Sequence, residues 1–263
     1  MLRQVTILFL VLCGNQTVSA QVTKIRRGEQ ELIGIYQQLL DSRFGAYDSL
    51  DYYNSLFTEK MLTLLSNEKT LSYSFIQLKK GAFCSISTSK DGLFRIYSWD
   101  AQLGGTMHFF NVIYQYKSGN TTKTQLFQPQ DDGDPAWFCS DIFTLKAKTN
   151  TYYLGITNGV YSSKDVSQSI KAFEVTEKGL NDSIALMKTP EGLKNSLSIY
   201  FDFFTLSQYR ETPHGVLNYD PKKKSITIAC DQEESETPVK DCYYLYQFNG
   251  TFFELKTDQT KKM

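Results

Sequence analysis

One short segment sets an acid and a base around a pair of glycines: Trp99-Asp100-Ala101-Gln102-Leu103-Gly104-Gly105-Thr106-Met107-His108. A carboxylate beside an imidazole can hold it as a general base, so Asp100 and His108 are the catalytic candidates. Gly104 and Gly105 open backbone shapes closed to other residues. The plainer account is a strand connection with a bulge whose Trp and His pack. That account ranks first, because no Ser or Cys nucleophile stands in a recognisable elbow nearby.

Other chemistry is thinner. Asp131-Asp132-Gly133-Asp134-Pro135 looks like a calcium loop, yet it lacks the alternating oxygen ligands and distant bidentate Glu of an EF-hand. Asp, Gly and Pro also build turns for conformational reasons alone, so Asp131, Asp132 and Asp134 are weak metal candidates and no metal or cofactor is expected. Trp99 and Trp137, with nearby tyrosines, have the chemistry to stack on a ligand such as a sugar ring; burial in a core is the commoner fate. Asp231, Glu233, Glu234, Glu236 and Asp241 read as a solvated acidic loop.

Four cysteines remain beyond Cys13, and a period of two arranges a pair of them. In Ser225-Ile226-Thr227-Ile228-Ala229-Cys230 the cysteine shares a face with Ile226 and Ile228, while Cys242 shares one with Tyr244, Tyr246 and Phe248. Antiparallel pairing with both apolar faces inward brings these sulfurs together, so a Cys230–Cys242 bond is expected. Elimination leaves Cys84 with Cys139, against a reading of buried thiols. A zinc site would need closer spacing or histidines, of which only His108 and His214 exist.

The elements that must position these residues fall into two regimes. Leu32, Ile35, Tyr36, Leu39 and Leu40, then Leu50, Tyr53, Phe57, Met61 and Leu64, recur at helical spacing on either side of Gly45. They predict two amphipathic helices, with Asp48 or Ser49 capping the second, in a segment 21–68 packed on the domain that follows. From about Leu71 the period becomes two. Asp91-Gly92, Ser118-Gly119-Asn120, Lys148-Thr149-Asn150 and Asn249-Gly250 stand between alternating runs and predict hairpins. Further strands are expected at Ala172–Thr176, Ser198–Leu206 and Ser225–Cys230. The fold class is therefore mainly β, an antiparallel meander over 69–258 closing as a sandwich or barrel-like sheet, with a small or incomplete β-propeller as the alternative. Residues 259–263 read as a disordered tail.

Residues 1–20 read as an export signal: Arg3 gives a positive start, Val5 to Val11 an apolar run too short to span a membrane, and Val18-Ser19-Ala20 a cleavage site before Gln21. A lipoprotein site at Cys13 would want a small residue where Leu12 stands. No transmembrane segment is expected in the mature chain. Lys plus Arg and Asp plus Glu are equal at 28 each, so the basic excess or stripe of a nucleic-acid binder is absent from the sequence, and nucleic acid is not an expected partner. The 17 Tyr and 18 Phe suit strands packed on one face and contact surfaces on the other.

The stretches Asp91-Gly92-Leu93-Phe94-Arg95-Ile96-Tyr97-Ser98-Trp99-Asp100, Gly104-Gly105-Thr106-Met107-His108 and Tyr246-Gln247-Phe248-Asn249-Gly250-Thr251-Phe252-Phe253 resemble segments of uncharacterised exported proteins of Bacteroidota. The resemblance covers about a fifth of the chain, carries no assigned activity, and implies a periplasmic or surface protein. In that setting Asp48-Ser49-Leu50 and Asp182-Ser183-Ile184 resemble a short bacterial O-glycosylation motif. A eukaryotic source would instead make Asn120, Asn181 and Asn249 N-glycan acceptors. The expected function is a non-catalytic partner-binding or structural role in the envelope, the partner an envelope protein or glycan; the alternative is a secreted hydrolase acting on glycan or peptide through Asp100 and His108. N-terminal sequencing of exported protein should begin at Gln21, and a lipid-modified Cys13 would overturn that cleavage.

Overall fold

The computed structural model describes residues 2–43, 45, 47–81, 83–129, 131, 133–205, 216–230 and 242–259, with backbone alone at 2–20, 47–48, 205 and 257–259. Cys13, Asp132, His214, the acidic residues 231–241 and the last four of the expected tail thus lie outside the described residues or their side chains. The chain divides into two compact units at Cys84/Ser85.

The first unit holds helices α1 (Leu2–Ser42), α2 (Tyr47–Leu65) and α3 (Ile76–Lys80), with a 3-10 turn at Glu68–Leu71. Ile25, Leu32, Tyr36 and Leu39 form the buried stripe of α1, and Leu50, Phe57, Met61 and Leu65 that of α2. α2 begins at Tyr47, so Asp48 and Ser49 fall inside its first turn rather than at its cap. Buried Glu29 interrupts the apolar stripe for a reason. Its Oε1 accepts from the backbone amides of Gln77 and Leu78 and its Oε2 from the Tyr73 hydroxyl, which satisfies the start of α3. Residues 69–81 and 83–84 therefore join this unit as turns and a short helix, and the first described strand starts only at Ser85. Among the described residues no helix is long and apolar enough to cross a membrane.

The second unit is mainly β. Strands β1 (Ser85–Thr88), β2 (Phe94–Asp100), β3 (Phe110–Ser118) and β4 (Thr121–Leu126) make a first sheet in sequence order. β5 (Phe138–Lys146), β6 (Thr151–Val160), β7 (Asp165–Thr176) and β11 (Ser196–Asp202) make a second, ordered β11-β7-β6-β5, with β8 (Gly179–Asn181) paired to β7. β9 (Met187–Thr189), β10 (Gly192–Lys194), β12 (Leu217–Asp220), β13 (Ser225–Ala229), β14 (Tyr243–Phe248) and β15 (Phe253–Gln259) make a third, ordered β10-β9-β15-β14-β13-β12. Pairing is antiparallel except between β15 and β9. The sheets form neither a closed barrel nor a propeller.

Alternation along the second sheet explains how the three pack. Leu154, Ile156, Ile170, Ala172, Leu197 and Ile199 enter one core with Ile226, Ile228, Tyr246 and Phe253 of the third sheet. The alternate positions Tyr153 and Phe173, with Cys139, enter another with Phe94, Ile96, Val112 and Tyr114 of the first. The second sheet is thus the middle layer, buried on both sides, and a slip of one residue in β7 would exchange the two cores.

The hairpins fall at the expected turns. Asp91 Oδ1 accepts from the Leu93 amide, and its Oδ2 accepts from Tyr153 on the middle sheet. Cys230 and Cys242 are bonded with Cα atoms 5.4 Å apart, and the Cys230 amide donates to the Cys242 carbonyl at 3.1 Å. Replacing both cysteines by Ser should lower stability by about 2 to 3 kcal/mol in denaturant titrations. Peptide mapping without reductant that finds both thiols free would contradict the bond.

Candidate functional site

Asp100 ends β2, and His108 lies in the loop before β3. The Asp100 Oδ2 is 2.6 Å from His108 Nδ1, with side-chain exposures of 16 % and 40 %. Asp100 Oδ1 also accepts from the Gln102 amide at 2.8 Å, and the loop is closed by Ala101 N–H donating to Phe109 O. A Cβ at Gly104 would collide with the Met107 carbonyl, so glycine is required for this curl. The irregularity expected as a bulge is a closed loop. Among the described residues Asp100 is the imidazole's hydrogen-bond partner, and no hydroxyl or thiol nucleophile bonds to it. The pair is an oriented base or an anchored polar latch.

The two tryptophans part company. Trp99 shares its strand face with Arg95 and Tyr97, opposite Phe94 and Ile96, and is buried, which removes it as a ligand platform. Trp137 remains partly exposed in a cluster with Tyr114 and Phe127. Asp134 Oδ1 accepts from the Ala136 amide and the Asp134 amide donates to Asp131 O, which is turn chemistry. Among the described residues no group of three or more His, Cys, Asp or Glu converges as a metal site.

Cys84 and Cys139 are buried thiols outside any disulfide, which corrects the pairing by elimination. Cys139 is held by its own strand and by the first sheet: its Sγ donates to Asp141 O, and its carbonyl accepts from the hydroxyls of Ser85 and Ser87 on β1.

A second cluster, unmarked by any motif, occupies the β7–β11 side of the middle sheet, on the face that turns toward the first sheet. Register places Ser167 opposite Gly159 and Tyr200, Ser169 opposite Thr157 and Ser198, and Lys171 opposite Gly155 and Ser196. Ser169 Oγ donates to Ser198 Oγ at 2.8 Å. Tyr200, 61 % exposed, contacts Tyr161 with ring centroids 5.7 Å apart. Tyr161 Oη lies 3.2 Å from Ser167 Oγ, an approach that Gly159 permits, because a Cβ there would sit 2.8 Å from that Oγ and 2.9 Å from the Tyr161 Oη.

Lys171 Nζ stands 5.4 Å over Phe127, 5.6 Å over Trp137 and 5.7 Å over Phe173. Ring faces attract the ammonium. Burial pulls its pKa below the ordinary lysine value, opposed by the carboxylates of Asp182 and Asp134. Beneath it, burial holds the Tyr114 hydroxyl well above its ordinary value, with Asp182 adding to the effect. Asp134 also acts on Tyr200, whose pKa is raised first by burial and then by Tyr161. Asp134 and Trp137, marked in the sequence, thus neighbour Lys171 and Tyr200, which it did not mark. The available signal was a run of small polar residues and one lysine on a single face of a long strand.

Burial pushes the Cys139 thiol up to about 12. The unfolded thiol releases its proton near 9.0, so the folded state binds the extra proton between these values and stability should fall as pH rises through that window. Cys139 should resist iodoacetamide in the native protein at about pH 8 and react on unfolding; fast native labelling would contradict its burial.

No family model matches the chain, and no curated protein or solved structure matches it.

Proposed function

We propose that this chain is an exported, non-catalytic β-rich protein that binds a cell-envelope partner through the Tyr161–Tyr200 side of its middle sheet. The observation that carries this reading is Tyr200: a large aromatic, mostly exposed, on the same strand face as Ser167, Ser169 and Ser198. Rigid aromatic area with adaptable hydroxyls beside it is the chemistry of contact surfaces. Phe203 and Phe204, also exposed, extend the aromatic surface just past the end of β11. Export is supported by the leader and by the Cys230–Cys242 bond, since disulfides persist in oxidising compartments.

A hydrolase is the second reading, favoured by one observation, the 2.6 Å contact of Asp100 with His108. Such a carboxylate fixes the tautomer and orientation of a general base. It serves equally to anchor the loop, and no nucleophile accompanies it among the described residues.

Retention on an isolated envelope fraction separates the readings. Tyr200→Ala should lower it roughly tenfold, as loss of an aromatic anchor does, while His108→Gln leaves it unchanged. If wild type hydrolyses an envelope glycan or peptide and folded His108→Gln loses orders of magnitude of that rate, the non-catalytic reading is wrong.

A further inference from the structure

We infer that the Lys171–Tyr200 face takes a neutral glycan, an inference that rests on reading this face as the contact surface. The Lys171 ammonium carries three N–H donors; among the described residues it makes no ion pair or side-chain hydrogen bond, and it stands over three rings with Asp182 and Asp134 acting on it. Ser169 and Ser198 each offer a group that both donates and accepts, while buried Ser167 lies against the Tyr161 hydroxyl. Asp134 and Asp182 accept from the Ala136 amide and the Ser183 hydroxyl, and a carboxylate has capacity for further donors. Sugar hydroxyls, which donate and accept at once, match such a mixed array. A partner with only donors or only acceptors would leave half of it unmet.

Charge then selects among sugars. Both carboxylates act on the single ammonium and oppose the effect of its burial, so the cation is offset in part. An acidic sugar or a phosphate would meet two like charges for one opposite charge, which disfavours it. Aromatic surface completes the match. The Tyr161 and Tyr200 rings, tilted by 39°, present flat apolar area to the C–H face of a pyranose. Along β7 the serines recur every second residue, about 7 Å, so one sugar unit at Tyr200 leaves the next within reach of Ser169 and Lys171. A protein partner would favour an interface core depleted of Lys and Asp, whereas here Lys171 and Asp134 sit beside the aromatic rings.

Isothermal titration with cellohexaose and mannohexaose as neutral probes and hexagalacturonate as the acidic probe tests the inference. At least one neutral probe should saturate below about 10 mM, which corresponds to a weak but specific site. Tyr200→Ala and Lys171→Met should each weaken it roughly tenfold, the cost of one anchor. Lys171→Arg, which keeps the cation over the rings, should weaken it less, and His108→Gln not at all. Circular dichroism of each variant checks that it is folded. No saturation by either neutral probe, or equal or tighter binding of hexagalacturonate, overturns the inference. If that happens while Tyr200→Ala still releases the protein from the envelope fraction, the glycan is wrong and the contact surface stands; if Tyr200→Ala changes neither, both fall.

Discussion

The structure of the β unit depends on one constraint, the burial of the middle sheet on both faces. Ile170 and Ala172 enter the core shared with the third sheet, and Phe173 enters the core shared with the first. Because successive side chains point to opposite faces, β7 has one permitted register. The same register sets Lys171, Ser169 and Ser167 in a row on the first-sheet face. The proposed contact surface is therefore a by-product of core packing, held as rigidly as the strand that carries it.

That row changes character along its length. At Phe173 the face is covered, with Phe94 against its ring and Tyr153 against Phe94. On the neighbouring β11, Ser198 and Tyr200 are exposed, while Ser167 at the end of the row is buried. Lys171 stands between, half-buried, its ammonium over three rings. Burial of a charge costs free energy unless something compensates it, and here ring faces and two nearby carboxylates do so in part. A fully buried position would have demanded a direct ion pair, and an exposed one would have left the lysine in water. Its intermediate place gives a donor close to solvent but already ordered, which lowers the entropy that a ligand must overcome.

Much of the fold was legible because period and turn chemistry are local. Asp91-Gly92, Ser118-Gly119-Asn120 and Asn249-Gly250 mark hairpins that form as read, and alternation around Cys230 and Cys242 placed both sulfurs on one side. Layer assignment was not legible. Alternation says that Trp99 and Trp137 each have a buried or exposed choice, but the choice is made by which sheet lies over which face. The Asp100–His108 contact was readable from residue types, since carboxylate and imidazole pair across a short glycine loop. Lys171 was not, because a lysine on an alternating strand reads as a solvated face until Phe127 and Trp137, distant in sequence, close over it. Cys139 misled for a related reason: elimination assumes that cysteines seek one another, whereas this one is held by its own strand and by Ser85 and Ser87.

Covalent surface footprinting of the folded protein, alone and bound to an envelope fraction, separates the Tyr200 face from the Asp100–His108 loop. Labelling of Tyr161, Tyr200 and Ser198 should fall on binding while the loop from Ala101 to Phe109 labels as before. Protection confined to that loop, with Tyr200 labelled equally in both states, would contradict contact through Tyr200 and move the functional centre to Asp100 and His108.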